Sequence, residues 1–161
     1  MFDHDLDSGK ITDGPIRYLM LRADVLMGVA RELGDEHATT FVDALERAAF
    51  RQSRESFEQY AVQGRFGTDD FLVSSSQVAA RLGWGTWSVR ELDAQTRQVE
   101  VRDSPFAAGA GRSSYPVCGA IRGVLRAIAL VGYGQEVEVR EVSCAAQGKD
   151  PVCRFHIGLS P

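Results

Sequence analysis

The chain has 161 residues, 44% of them hydrophobic and 25% charged, and a formal net charge of −4. That length supports a single domain, residues 1–161, with a core that needs no disulfide staples. The acidic balance excludes the clustered Lys and Arg that nucleic-acid binding demands. No apolar run is long enough to span a bilayer, and the longest, 124–131, is interrupted by Arg126.

Only Lys10 and Lys149 are lysines, so the basic residues are almost all Arg, a compositional bias rather than a binding signal. The start, Met1-Phe-Asp-His-Asp, is acidic where a signal peptide would be basic. The expected location is therefore cytoplasmic, where thiols stay reduced. Three cysteines, an odd number, also argue against a pure disulfide framework.

Residues 1–14, polar and acidic with Gly9 and Gly14, read as a loose arm. Residues 16–22 read as a short strand. Asp24 is placed to cap a helix over 25–33, closed by Gly34. From Asp35 to about Gly64 apolar residues recur every three or four positions, the mark of a long amphipathic helix. Its face of Phe41, Leu45, Phe57 and Tyr60 is long enough to serve a homodimer as well as a core. Thr68-Asp-Asp-Phe71 reads as the capped start of a helix to Leu82, stopped by Gly83.

Strands are expected over 86–92 and 97–102, joined by a turn at 93–96. Trp87 and Val89 share one face, as do Val99 and Val101, which predicts an antiparallel hairpin with one buried side. Small residues over 107–114 suggest a mobile lid. Tyr115-Pro116 leads into a helix with an apolar stripe of Val117, Ile121, Val124, Leu125 and Ile128. Gly119 and Gly123 form a second stripe, where each glycine costs about 1 kcal/mol; either a backbone packs close there or a ligand takes the volume. Strands over 136–142 and 152–159 close the chain. Paired hairpins and helices predict an α+β fold, an antiparallel sheet covered by helices.

All three cysteines lie in the last third of the chain. On the strand after Val137, alternation puts Val137, Val139 and Glu141 on one face, so the carboxylate points inward. A buried carboxylate must be paired, protonated or bound to a cation. Cys118, Cys144 and Cys153 converge on the same end of the sheet. Three thiolates and a carboxylate suit tetrahedral Zn²⁺ of the closed, structural kind. Glu141 and Cys144 are three apart, so a bulge or turn at Ser143 is required. The alternative is three reduced, buried cysteines with Glu141 paired to Arg140 or Arg154, and spacing alone leaves both readings open.

These same stretches carry a resemblance. Residues 103–109 (Asp-Ser-Pro-Phe-Ala-Ala-Gly), 116–125, 139–148 and 150–155 (Asp-Pro-Val-Cys-Arg-Phe) resemble the 4-vinyl reductase (4VR) domain family over roughly residues 80–159. Residues 17–22 and 26–28 resemble its N-terminal part more weakly. One branch serves bacteriochlorophyll biosynthesis; another is the sensor domain of regulators that respond to phenol, xylene and similar aromatics. The resemblance implies a structural zinc on Cys118, Glu141, Cys144 and Cys153. The loop between Cys144 and Cys153 is one residue longer than the common pattern, with His156 as a reserve ligand. The tryptophan and histidine with which sensor relatives hold phenol are absent, Val99 and Val101 standing on the matching strand.

Three functions follow as expectations. The first is a zinc-stabilised, homodimeric module for an apolar or aromatic ligand, lined by Trp84, Trp87, Phe106, Tyr115, Gly119 and Gly123. The second is a 4-vinyl reductase or tetrapyrrole carrier, against which stands the lack of a dinucleotide fingerprint or flavin motif. The third is a ligand-free interaction module, because the fold also resembles subunits of a vesicle-tethering complex.

Overall fold

The structure is a computed structural model that describes residues 2–62 and 71–158. The acidic start is not a loose arm. Strands β1 (Asp3–Asp5), β2 (Lys10–Asp13) and β3 (Ile16–Tyr18) form a small antiparallel sheet, with Asp3 opposite Thr12 and Ile11 opposite Tyr18. Gly9 and Gly14 have φ of +63° and +59° and make its turns. The residues that suggested looseness are turn residues.

Helix α1 (Ala23–Leu33) ends at Gly34 as expected, but its N-cap is Arg22. Asp24 lies in the first turn, where an acid favours the helix dipole, and accepts a hydrogen bond of 3.0 Å from Arg22 Nε. Helix α2 (Asp35–Val62) is the long helix the periodicity predicts, and α3 (Phe71–Arg81) follows. The capped start expected at Thr68 lies outside the described residues.

Strands β4 (Thr86–Glu91) and β5 (Thr96–Arg102) form the expected hairpin, Trp87 facing Val101 and Val89 facing Val99. Helix α4 (Pro105–Ala110) and helix α5 (Gly119–Tyr133) come next, then β6 (Val139–Ser143), a 3-10 turn over Ala145–Gln147, and β7 (Val152–Gly158). The large sheet runs β4-β5-β7-β6 and is antiparallel throughout. This is the predicted α+β arrangement.

Its inner face carries Val99, Val101, Phe155 and Ile157, all essentially inaccessible. The other face holds ion pairs, with Glu100 between Arg90 and Arg154, and Arg154 also on Asp150. Helix α5 covers the inner face and buries Ile121, Leu125 and Ile128. Helix α2 packs on α5 in turn. A Cβ at Gly119 would lie 2.3 Å from the Val42 carbonyl oxygen, and one at Gly123 would lie 2.2 Å from that of Glu46. Both glycines exist to let two helix backbones meet. Arg122 and Arg126 clamp the seam through Glu46, at 2.7 Å and 3.3 Å.

The expected lid is also corrected. Residues 105–110 are helix α4, with Phe106, Ala107 and Gly109 buried. Ser104 accepts from the Ala107 N–H at its start, and Arg31 donates to the Gly109 and Ala110 carbonyls at 3.1 Å and 3.0 Å. A Cβ on Gly109 would strike the Ala23 backbone at 2.4 Å. Small size serves tight packing there, not motion.

Candidate functional site

Cys118, Glu141, Cys144 and Cys153 come together, each offering one ligand atom within 4.8 Å of the others. Four separate elements deliver them. Cys118 is the N-cap of α5, Glu141 sits on β6, Cys144 precedes the 3-10 turn, and Cys153 starts β7 beside Val101. The strand register slips between Glu141 and Ser143. This is the bulge that the odd spacing of Glu141 and Cys144 requires.

The cysteines are free and buried. Cys118 Sγ and Cys153 Sγ are 3.6 Å apart, too far for a disulfide. That separation is close to the edge, about 3.8 Å, of a tetrahedron with 2.3 Å metal–sulfur legs. The Glu141 side chain is only 1% exposed. Its Oε2 accepts from the Cys118 backbone N–H at 3.1 Å and lies 3.3 Å from Arg122 Nη1. Its Oε1 is buried with no hydrogen-bond partner. An orphaned carboxylate oxygen facing three sulfurs is the chemistry of a metal ligand.

Burial, and then the Cys144 sulfur beside it, push the Glu141 carboxyl up to about 8. Cys118 is held above the usual thiol range by its hydrogen bonds to Cys144 and Cys153 and by burial. Hydrogen bonds from Cys118 and then Cys144, joined by the Ala145 N–H, pull Cys153 down to about 4. The cluster thus carries more potential negative charge than Arg122 alone can balance.

Two neighbours escaped the sequence reading. Arg122, rather than Arg140 or Arg154, faces Glu141; Arg140 pairs with Glu138 and Arg154 with Glu100. The signal was present, because Arg122 stands one helical turn beyond Cys118. Ser104 is the other. Its oxygen accepts from Ala107 N–H, leaving its proton for Cys118 Sγ at 3.3 Å. His156 stays out of the cluster and meets Gln98 at 3.0 Å.

The expected ligand-lining residues divide. Trp84 and Phe106 meet edge to face, centroids 5.1 Å apart, and line a cavity of about 520 Å³. Met27, Leu45, Ala48 and Leu82 share that wall, to which no charged side chain among the described residues contributes. Trp87 instead lies in the core on the sheet, its indole N–H donating to the Trp84 carbonyl at 2.9 Å. Tyr115 is half-buried in the approach to α5, its backbone held by Ser113, and does not line this cavity. Gly119 and Gly123 open no ligand space, since α2 fills it. Among the described residues, no helix is long and apolar enough to cross a membrane.

Residues 98–159 match the model of the 4-vinyl reductase (4VR) domain. No curated protein matches the sequence significantly. Among solved structures, the phenol-responsive sensory domain of the transcription activator PoxR, bound to phenol, is similar at a TM-score of 0.80 and 20% identity, over 98% of this chain and 84% of its own. A vinyl-4-reductase family protein from Methanocaldococcus jannaschii gives 0.63 at 14% identity, over 89% and 85%. A trafficking protein particle complex subunit 3 from Naegleria fowleri, covalently bound to palmitic acid, gives 0.60 at 12%, over 86% and 95%. The resemblance to the 4-vinyl reductase domain family thus holds over residues 98–159, within a fold that these three proteins share across most of the chain.

Proposed function

We propose that this protein is a zinc-stabilised binding module for a small apolar or aromatic molecule, acting as a sensor or carrier rather than an enzyme. The cavity beside Trp84 and Phe106 carries the reading: about 520 Å³ of apolar space with no charged side chain among the described residues of its wall. The likeness to a phenol-responsive sensory domain supports it. A neutral fluorescent probe, N-phenyl-1-naphthylamine, should bind and raise the melting temperature by about 5–10 °C at a hundredfold excess over Kd. Ala48→Phe, which fills the cavity, should remove that shift with metal content unchanged. A probe that binds both proteins alike would refute the cavity reading.

Cys118, Glu141, Cys144 and Cys153 would hold the Zn²⁺. Four protein ligands leave no open position, so the ion would supply structure and no bound water for catalysis. The orphaned Glu141 oxygen and the sulfur spacing support this assignment. Three free thiols fit a reducing, cytoplasmic setting.

The homodimer is proposed on a different face from the one the sequence suggested. Phe57 and Tyr60 are buried in the protomer core, and Phe41 and Leu45 pack against it. The exposed apolar residues are Leu19 at 81%, Met20 at 78% and, along one side of α1, Val25, Val29 and Leu33. Light scattering should give a dimer mass, and Val29→Glu with Met20→Glu should give a monomer. A wild-type mass of one chain at every concentration would dismiss the dimer.

A further inference from the structure

Helix α3 carries two adjacent buried serines that behave differently. Ser76 Oγ bonds back to the Leu72 and Val73 carbonyls at 3.0 Å and 2.8 Å, the usual resort of a serine inside a helix. Ser75 is only 3% exposed, and its Oγ has no hydrogen-bond partner. A buried hydroxyl is seldom left that way.

Ser75 lines a second cavity, of about 200 Å³, with Phe57, Val78, Ala79, Trp84 and Val124. Trp84 and Leu82 belong to the walls of both cavities. An engineered apolar cavity of about 150 Å³ holds one benzene ring, so this space suits one ring and a small substituent. Among the described residues, no Asp, Glu, Lys or Arg lines it. Nothing in that wall would neutralise a charged ligand.

Resting on the binding function proposed above, we infer that Ser75 is a specificity-determining residue: its hydroxyl reads one hydrogen-bonding group on a compact, neutral, otherwise apolar ligand seated in this cavity. The free hydroxyl awaits a partner that the ligand brings. The uncharged wall rejects carboxylates, which would be desolvated without compensation. A ligand with no polar group would bury the same area and leave Ser75 unsatisfied.

Three probes with one ring and different single groups test this: benzyl alcohol, toluene and benzoate, titrated by tryptophan fluorescence. Wild-type protein should bind benzyl alcohol about tenfold more tightly than toluene, and benzoate most weakly. Ser75→Ala should lose that tenfold preference by weakening benzyl alcohol, with toluene unchanged or tighter. The ligand-free Ser75→Ala protein should melt no lower than wild type, since it gives up no bond. Equal preference in both proteins would overturn the role of Ser75 while leaving the cavity function standing. No binding of any probe to either protein, at concentrations where N-phenyl-1-naphthylamine binds, would overturn the placement in this cavity. A lower melting temperature for Ser75→Ala would show that the hydroxyl already has a partner, which overturns the proposal too.

Discussion

Cys144→Ser protein is expected to purify with well under one zinc per chain and to melt about 6–20 °C below wild type. The size follows from what remains when one ligand goes. Glu141 and two other thiols stay buried around an under-coordinated ion, and uncovering a buried charge costs about 3–5 kcal/mol. That is a large share of the roughly 5–15 kcal/mol by which domains are stable, and each kcal/mol is worth about 2–4 °C at this chain length. Chelator treatment of wild-type protein should give the same loss. Zinc uptake should also depend on pH. Without metal, Glu141 keeps its proton up to about 8 and Cys118 holds its own above the usual range. Binding must expel both, so apparent affinity should rise by about 100-fold per pH unit up to about pH 8. A wild-type protein with no metal and no sensitivity to chelator would end the zinc assignment.

Gly123→Ala is expected to destabilise the protein by about 1–3 kcal/mol, although alanine favours helix over glycine by about 1 kcal/mol. The added methyl would lie 2.2 Å from the Glu46 oxygen, 2.9 Å from the Phe50 nitrogen and 3.0 Å from the Ala49 Cβ. Two of these atoms are backbone, so α2 must shift as a body, stretching the 2.7 Å bond from Arg122 to Glu46. Overpacking therefore outweighs propensity. Gly28→Ala is the matched control. Its Cβ would meet only the end of the Arg31 side chain, at 3.4 Å, so propensity should win and stability rise by about 0.5–1 kcal/mol. Thermal melts of the two proteins should move in opposite directions. Equal gains in both would mean that α2 and α5 do not pack as closely as the structure places them.

The metal cluster was legible because strand alternation is strict. Val137, Val139 and Glu141 share a face, and the odd step to Cys144 demanded the irregularity that the register shows at Ser143. The hairpin of Trp87 and Val101 was legible for the same reason. The pocket was not. Glycines at 119 and 123 announce missing volume but not which neighbour occupies it, and here the neighbour is the α2 backbone. Phe57 and Tyr60 mark a buried face equally well whether their own chain or a second copy buries it. The first 14 residues misled because Gly and Asp are common both to loose segments and to tight turns. Ser75 gave no sign, since satisfied and orphaned serines look alike in sequence.

The seam between α2 and α5 also bears on how the protein is made. Glu46 and Arg122 are 76 residues apart. At roughly 5–20 residues per second, synthesis leaves α2 waiting roughly 4–15 s for the helix that covers it. Through that interval its apolar side has only α1 to rest on, and the last sulfur of the cluster, on Cys153, follows later still. The nascent protein thus passes through a stage with an exposed greasy helix and no metal cage, when holdase chaperones have the most to offer. Variants that slow translation between residues 62 and 119 would lengthen that exposure without altering one contact of the finished fold.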